Sequence, residues 1–333
     1  MKPLLIAHAE DPDGRIAEAL AMRHLSNQGI KSADRIPVRY DRIVEAFQKA
    51  ASFAEHYDTI YIADIDLNPQ LQKAAGENLS LLEKISLGRN VSWFDHHSGT
   101  LKNKEKLTQI GIQLYYDKHQ CAALLLQRHF SLKDPYSVKL AKIAQAHDYK
   151  NTSSDHENIT IGNELEKIIA LANEKLNYGL LLDLSRDLQT ENVFDKNFKL
   201  LPQWQQYADD FDSRAPSAYQ ELENSVEVIT AGNYKVLFGY CPALLSKPGA
   251  FHLRTKHEDK ADAFVCLFKS PARNHLVLKT DKSPFPVASF VLSLGGGGRG
   301  NGGGFSLDYD ITPENYSQVK ETLLSQMEKY SQK

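Results

Sequence analysis

The sequence predicts an α/β protein of two domains, an N-terminal domain built on a parallel sheet and a smaller C-terminal α/β domain. In the first half of the chain, short apolar runs alternate with longer stretches of helical pattern, which is typical of strand–helix–strand units in a parallel sheet. A chain of 333 residues is also longer than one hydrophobic core usually serves. The second half has strand-like runs of its own, which favours a second domain.

Strands and helices follow one another in a regular order in the N-terminal domain. Apolar runs at residues 4–7, 59–63 and 91–94 have the sequences LLIA, TIYIA and VSWF, and runs of this length predict buried strands. Apolar residues at three- and four-residue spacing predict helices at about residues 14–27 and 69–84. Each predicted strand is therefore followed by a loop at the same edge of a parallel sheet.

The remainder of this domain is predicted to be helical. Apolar spacing of three and four continues from about residue 120 to residue 182, and Asp148 ends the second helix of this stretch. The next stretch is rich in Asp, Gln, Lys and Asn and contains two prolines, which predicts a helical connector. We expect an N-terminal domain over residues 1–184, a connector over residues 185–224 and a C-terminal domain over residues 225–333.

The C-terminal domain carries four strand-like runs before a segment that is unusually rich in glycine. The runs lie at residues 226–231, 234–240, 263–268 and 275–280 and alternate or cluster apolar residues as strands do. Residues 295–304 then read GGGGRGNGGG and hold eight of the nineteen glycines. This concentration is too high for an ordinary turn and predicts a functional loop.

Composition and charge exclude several classes of protein. Hydrophobic residues at 42% and charged residues at 24% are near the averages for soluble globular proteins. The formal net charge of −3 gives no general attraction to a long polyanion, so a long nucleic-acid duplex is not an expected partner. The first apolar run is too short for a signal peptide, and none approaches the ~18 apolar residues of a membrane span, so we expect a cytoplasmic protein. The three cysteines are widely separated and suggest neither disulfides nor a thiolate zinc site.

Acidic and histidine side chains follow all three strands of the predicted parallel sheet. They are His8, Asp11 and Asp13 after the first strand, Asp64 after the second, and Asp95, His96 and His97 after the third. Because the carboxyl ends of parallel strands lie along one edge of a sheet, we expect these side chains to meet. Carboxylates and imidazoles are the groups that hold two divalent ions about 3.5–4 Å apart for the hydrolysis of a phosphate ester.

The first of these loops, HAEDPDG, raises the question of what its carboxylates do. Glu10, Asp11 and Asp13 lie so close in sequence that their charges repel, and a bound cation would remove that conflict. The alternative is that Asp11 or Asp13 caps the following helix, a position that Asp often takes. The rarer AspHisHis string at the third strand end favours the metal site.

The four motifs, in this order, resemble those of the DHH phosphoesterases, a family named after the string formed here by residues 95–97. HAEDPDG looks like the first family motif, ADID with Asp64 like the second, FDHH like the third, and AHDYK with Asp148 like the fourth. The resemblance extends over nearly the whole chain. It implies an α/β catalytic domain, a smaller associated domain and an active-site cleft between them.

The resemblance also implies a role for each matching residue. Two divalent ions are expected, Mn²⁺ in the first place with Mg²⁺ as the alternative. One ion would be held by His8, Asp11 and Asp64, and the other by Asp13, Asp64, His96 and Asp148. His97 would contact the substrate phosphate, and Asp95 would orient the histidine pair. Two residues separate His8 from Asp11, a spacing that differs from that of many family members.

The glycine-rich segment resembles the GGGH-type loop of the family's associated domain, which binds the end of a nucleotide. Glycines let backbone N–H groups approach an anion, and an arginine fork can bind phosphate. We therefore predict substrate contacts from Gly297, Gly298, Arg299 and Asn301, with Arg299 standing where many members have histidine. The alternative is a flexible linker. The segment lacks GK[ST], so a P-loop is not indicated.

Three functions remain open from the sequence. The favoured one is two-metal hydrolysis of short oligonucleotides or of small nucleotide phosphodiesters or phosphomonoesters, which include nucleotide bisphosphates and cyclic dinucleotides. An inorganic pyrophosphatase or polyphosphatase would use the same metal site. A non-catalytic nucleotide sensor on the same fold is the third. The sequence leaves the oligomeric state, the preference for RNA or DNA and the polarity of attack open.

Overall fold

A five-stranded parallel sheet organises the first half of the chain in this computed structural model, which describes residues 2–150, 152–269, 271, 274–299 and 301–331. The strands are β1 (Pro3–His8), β2 (Asp34–Val38), β3 (Thr59–Ala63), β4 (Asn90–Asp95) and β5 (Ile112–Tyr116). They lie in the order β2-β1-β3-β4-β5, and every neighbouring pair is parallel. The predicted parallel sheet is thus confirmed, and all five carboxyl ends share one edge.

Ten α-helices accompany this sheet over the described residues. They are α1 (Pro12–Asn27), α2 (Ile43–Ser52), α3 (Pro69–Ala75), α4 (Ser80–Ser86), α5 (Ser98–Lys102), α6 (Lys104–Gln109), α7 (Ala122–His129), α8 (Pro135–Asp148), α9 (His156–Glu174) and α10 (Tyr178–Gln189). The helix predicted at about residues 69–84 is in fact two helices. Gly76 and Leu79 both have positive φ, 78° and 54°, and this left-handed backbone ends α3 before α4 begins.

The two faces of the sheet bury two separate cores, because successive side chains of a strand point in opposite directions. Leu5 and Ala7 of β1 pack with α1 and α7, whereas Leu4 and Ile6 pack against α2, α3 and α4. Strands buried on both faces have near-continuous apolar sequences, which is why LLIA, TIYIA and VSWF were recognisable. The two edge strands β2 and β5 are partly exposed and have no such run, so the sequence did not indicate them.

A six-stranded mixed sheet organises the second half. After α11 (Pro202–Asn224), its strands are β6 (Glu227–Ala231), β7 (Tyr234–Cys241), β8 (Ala263–Phe268), β9 (Asn274–Lys279), β10 (Gly297–Arg299) and β11 (Gly302–Ser306), in the order β10-β11-β9-β8-β7-β6. Within this second sheet, β7 and β8 are the one parallel pair among the described strands, and the other pairs are antiparallel. The helices are α12 (Ser246–Lys256), α13 (Val287–Ser293) and α14 (Pro313–Ser331). The predicted second α/β domain is confirmed.

The chain divides into two units. The first comprises Met1–Asn173 and Asn177–Asp209, and the second comprises Glu174–Leu176 and Asp210–Lys333. The main change from one unit to the other therefore falls within the predicted connector, residues 185–224. No helix among the described residues is long and apolar enough to cross a membrane.

His275 is a buried histidine of the second unit that is held neutral. It is fully buried on β9, and its Nδ1 accepts a hydrogen bond of 3.1 Å from the Phe268 N–H. Burial lowers its pKa from the usual 6.5 to about 3. In the unfolded chain the same ring takes up a proton near pH 6.5.

We predict that His275 makes the second unit sensitive to acid. The unfolded state binds the additional proton between pH 6.5 and about 3, so the free energy of unfolding falls as the pH is lowered through this window, by up to about 1.4 kcal/mol per pH unit. Denaturant unfolding at several pH values checks this. His275→Gln should weaken the dependence of the unfolding free energy on pH, whereas His156→Gln, at an exposed position, should leave it unchanged. Equal pH dependence in the wild type and both variants would refute the prediction.

Candidate metal centre

Asp64 is the residue that links the strand ends of the parallel sheet. It follows β3 with a φ of 58°, a left-handed conformation that costs energy for a residue with a Cβ atom. Its N–H donates to the Phe94 carbonyl oxygen at 3.0 Å. Asp64 Oδ2 lies 3.1 Å from His8 Nδ1, and Oδ1 lies 3.4 Å from His96 Nε2. The Asp64 carboxylate therefore stands between two histidines, one at the end of β1 and one directly after β4, the two strands that flank β3.

Asp11 joins His8 and Asp64 in a first group. Asp11 Oδ2 lies 3.2 Å from His8 Nδ1, and its Oδ1 accepts the Gly14 N–H at 3.2 Å as the N-cap of α1. The helix-capping role and the role in the polar cluster, which are alternatives from the sequence, are thus combined in one carboxylate. His8, Asp11 and Asp64 each offer a ligand atom within 4.8 Å of the others. This is the trio that the family resemblance implied for one ion.

A second group overlaps the first at Asp64. Asp64, Asp95, His96 and His97 also offer ligand atoms within 4.8 Å of one another. His97 Nδ1 lies 2.7 Å from Asp95 Oδ1, so the fully buried Asp95 orients the ring and leaves Nε2 as its other polar atom. With 28% of its side chain exposed, His97 is the most accessible of the four. A position open to solvent suits contact with a substrate.

Asp148 and Tyr149, at the end of α8, lie on the other side of the His96 ring. Asp148 Oδ2 is 3.3 Å from His96 Nδ1, and the Tyr149 hydroxyl is 3.0 Å from the same nitrogen. His96 therefore faces Asp64 with Nε2 and the α8 residues with Nδ1. The fourth sequence motif thus reaches the third through this ring.

Asp13 is held by the N-terminus of α7. Its Oδ2 accepts the Ala122 N–H and its Oδ1 accepts the Ala123 N–H, both at 2.8 Å. Burial and the charge of Asp13 raise the pKa of the thiol of Cys121, the N-cap residue of α7, well above its usual value. Each carboxylate oxygen has a further lone-pair site, so Asp13 keeps the capacity to bind a cation while its orientation is fixed. The sequence did not indicate this anchor.

The sequence also did not indicate a buried ion pair between Arg15 and Glu18. Arg15 is fully buried, and its guanidinium donates to the backbone oxygens of Ala7 and His8 at 2.6 to 2.9 Å and to the Glu18 carboxylate. Ser185 Oγ donates to Glu18 as well. The signal in the sequence is an Arg and a Glu three residues apart, the spacing of neighbours on a helix, within the otherwise apolar stretch of α1. Arg15 fixes the end of β1 and with it the position of His8.

The electrostatics of the cluster reflect an excess of buried negative charge. Burial lowers the pKa of His96, but hydrogen bonding to Asp64 and the nearby carboxylates raise it to about 12. Burial likewise opposes protonation of His8, and the charge of Asp11 raises its pKa well above the usual value. Burial and the charge of Asp64 raise the pKa of Asp13. The cluster therefore retains protons that a divalent cation would replace.

The residues present fit a divalent metal. Oδ2 of Asp95 is buried without a hydrogen-bond partner among the described atoms, and a buried ionised oxygen is costly unless a cation or donor meets it. Carboxylates and imidazoles are both common ligands of divalent metal ions. His8, Asp11 and Asp64 could hold one ion, and Asp64 with His96 could contribute to a second. The assignment of Asp13 and Asp148 to the second ion stays a prediction.

The glycine-rich segment forms a hairpin, not the loop that was predicted. Gly297 and Gly298 lie on β10, which pairs with β11. A Cβ atom on Gly298 would lie 2.5 Å from the Gly302 carbonyl oxygen, and one on Gly296 would lie 2.1 Å from that of Gly304. Close approach of backbone to backbone therefore explains several of these glycines. This structural reason could not be distinguished from anion binding in the sequence.

The predicted substrate contacts of this hairpin stay predictions. The Arg299 side chain lies outside the described part of the chain, as does Gly300. The Asn301 side-chain amide donates to Asp281 Oδ1, and its backbone oxygen accepts the Lys279 N–H at 2.9 Å. Both the side chain and the backbone of Asn301 are therefore hydrogen-bonded within the second unit.

Comparison with solved structures identifies relatives of the fold. No protein-family model and no curated protein matches the chain. RecJ from Thermus thermophilus in complex with Mn²⁺ is 15% identical with a TM-score of 0.59, over 99% of this chain and 52% of RecJ. A manganese-bound exonuclease RecJ is 15% identical with a TM-score of 0.54, over 100% and 90% of the two chains. An exopolyphosphatase-related protein from Bacteroides fragilis is 13% identical with a TM-score of 0.51, over 100% and 94%. This chain spans about half the length of the Thermus protein.

We predict that Gly14→Ala disrupts the cluster by displacing His8. The new Cβ would lie 2.2 Å from the His8 carbonyl oxygen and 2.8 Å from His8 Cβ, so His8 must move. We expect a loss of about 1–3 kcal/mol in stability and about tenfold weaker manganese binding, measured by denaturant unfolding and calorimetric titration. Gly179→Ala, whose Cβ meets only the Asn177 side chain at 3.3 Å, is the control. Unchanged manganese affinity in Gly14→Ala would contradict the prediction.

Proposed function

We propose that this chain, which has the fold of the DHH-type phosphoesterases, is a two-metal-dependent phosphoesterase of short oligonucleotides or small nucleotide phosphoesters. The observation that carries the proposal is the overlap of two ligand groups at Asp64. One carboxylate shared between two groups of His and Asp is the arrangement that holds two divalent ions close together. These residues belong to three of the four motifs that resemble those of the family, and Asp148 of the fourth motif lies 3.3 Å from His96 Nδ1.

The residues divide the chemistry between them. When bound, two divalent ions supply an activated water and neutralise charge on the phosphoryl oxygens. His8, Asp11 and Asp64 would hold one ion, and Asp13, Asp64, His96 and Asp148 the other. His97 would contact a phosphate oxygen through Nε2, because Asp95 occupies its Nδ1 at 2.7 Å. Burial lowers the pKa of His97, but the charge of Asp95 raises it above its usual value, which favours a ring able to donate to phosphate.

The substrate class is inferred from charge and from the second unit. A net charge of −3 suits a small ligand held locally better than a long polyanion. Two of the structural relatives are RecJ proteins, one of them described as an exonuclease. Arg299 and the glycine-rich hairpin, with Gly297, Gly298 and Asn301, are the proposed contacts for the nucleotide end of the substrate. The proposed metals are manganese, with magnesium as the alternative, and both occur in RecJ structures.

One observation supports a second candidate, a polyphosphatase or pyrophosphatase. The exopolyphosphatase-related protein shares the fold over the full chain with a TM-score of 0.51, and phosphoanhydride hydrolysis needs the same kind of metal site. Such an enzyme should line its substrate site with several cations, whereas the glycine-rich segment of this chain carries one arginine. The nucleotide substrate is therefore preferred.

We predict manganese-dependent release of mononucleotides or phosphate from short substrates. A panel of di- to pentanucleotides, nucleotide bisphosphates and cyclic dinucleotides is incubated with the full chain and manganese, and the products are separated by chromatography. Pyrophosphate and a short polyphosphate serve as the comparison. Turnover of the nucleotides with the anhydrides intact supports the first candidate, and the reverse supports the second. A metal-loaded protein that left all of them intact would refute both.

We predict that Asp64→Asn abolishes this turnover while the fold persists. Asn tolerates the left-handed conformation of residue 64 and preserves its shape, but it removes the charge shared by the two groups. We expect at least about a hundredfold loss of activity and loss of manganese binding, measured by calorimetry beside a circular dichroism spectrum. Asp209→Asn on the exposed side of α11 is the control. Wild-type turnover in Asp64→Asn would be incompatible with the proposed role.

A further inference from the structure

The two nitrogens of His96 have different surroundings, although the ring is fully buried. Nε2 faces Asp64 Oδ1 at 3.4 Å, on the side where the two ligand groups overlap. Nδ1 faces the end of α8, with the Tyr149 hydroxyl at 3.0 Å and Asp148 Oδ2 at 3.3 Å. A neutral imidazole carries one proton, and only the nitrogen without it can ligate a metal. The function of His96 therefore depends on which nitrogen is protonated.

Tyr149 is the hydrogen-bond partner at Nδ1. Asp148 Oδ2 lies 3.3 Å from this nitrogen but has no hydrogen-bond partner among the described atoms. The contact between Asp148 and His96 therefore lacks the geometry of a hydrogen bond. The Tyr149 hydroxyl donates its single proton to the Lys118 carbonyl oxygen at 3.0 Å. Since that proton is used, the hydroxyl can only accept from His96. The Nδ1 atom then carries the ring proton, and Nε2 is left as the ligand.

The Lys118 carbonyl that orients this hydroxyl is itself fixed. It lies in the loop between β5 and α7, and the side chain of Gln145 on α8 forms two hydrogen bonds with that loop. Gln145 Oε1 accepts the Cys121 N–H at 2.8 Å, and Gln145 Nε2 donates to the His119 carbonyl oxygen at 3.0 Å. The loop is thus bound to α8, at whose C-terminal end Tyr149 lies. This attachment keeps the Lys118 carbonyl oxygen within hydrogen-bonding distance of the Tyr149 hydroxyl.

We propose that Tyr149 is a positioning residue, whose hydroxyl holds His96 with its proton on Nδ1 and presents Nε2 to a divalent ion beside Asp64. The inference rests on the proposed function, since it names a residue that prepares the same metal site. It assigns Tyr149 no contact with substrate. A partner on the far nitrogen of a ligating histidine commonly raises metal affinity about 10–100-fold.

The first test compares two variants that each remove one hydroxyl. Tyr149→Phe loses the bond to His96, and Tyr57→Phe loses a bond of 2.8 Å to Asp34 at the opposite edge of the sheet. Manganese affinity of the full chain is measured by calorimetric titration, together with thermal unfolding of the metal-free proteins. We expect about 10–100-fold weaker binding in Tyr149→Phe alone, with similar thermal shifts in both. Equal manganese affinity in Tyr149→Phe and wild type would overturn the inference and leave the proposed function standing.

The second test needs only the wild-type chain. Isotope-labelled histidine and a spin-active cadmium ion in place of manganese reveal which nitrogen of His96 binds the metal, through the coupling between the two nuclei. Coupling to Nε2 supports the inference, and coupling to Nδ1 overturns it even if Tyr149→Phe does not fold. A wild-type protein that binds neither manganese nor cadmium would instead overturn the proposed function, and the inference with it.

Discussion

The repulsion among buried carboxylates at the carboxyl edge of the parallel sheet is the constraint on which the rest of the first unit depends. Asp13, Asp64 and Asp95 are each at most 2% exposed, and burying unpaired charges costs several kcal/mol per ion. The fold offsets this cost with His8 and His96 and with backbone N–H groups from the starts of α1 and α7. In addition, the raised pKa values of His8, Asp13 and His96 keep protons in the cluster. Each compensation is local, and a divalent cation would complete it.

Much of the fold, and the proximity of several predicted site residues, could be predicted from the sequence for a physical reason. Central strands buried on both faces must be apolar throughout, so β1, β3 and β4 were visible as runs. Parallel pairing then forces their carboxyl ends to one edge, so the residues after each run had to meet. Asp64, His96 and His8 are together because β1, β3 and β4 are parallel and adjacent in the sheet, so that the residues at their carboxyl ends meet at one edge.

What the sequence did not reveal depends on contacts between distant residues. No local pattern indicates that the N–H groups of Ala122 and Ala123 hold Asp13, over a hundred residues away. The glycines near residue 300 were attributed to anion binding, but several are required because a Cβ would collide with the neighbouring strand. Arg15 was overlooked because a charged residue near a helix start is normally solvated, and only the structure reveals its burial. The edge strands β2 and β5 lacked the apolar runs that burial on both faces imposes.

The site combines rigid support with one strained residue, and the two are connected. Asp64 holds a left-handed conformation that would relax if its surroundings allowed, and such conformations persist only where neighbours over-determine them. Here the Phe94 carbonyl fixes its N–H, while His8 and His96 contact its two oxygens. In this conformation, one carboxylate oxygen faces His8 at the end of β1 and the other faces His96 after β4. The strain at Asp64 is therefore the local cost of sharing one carboxylate between two ligand groups.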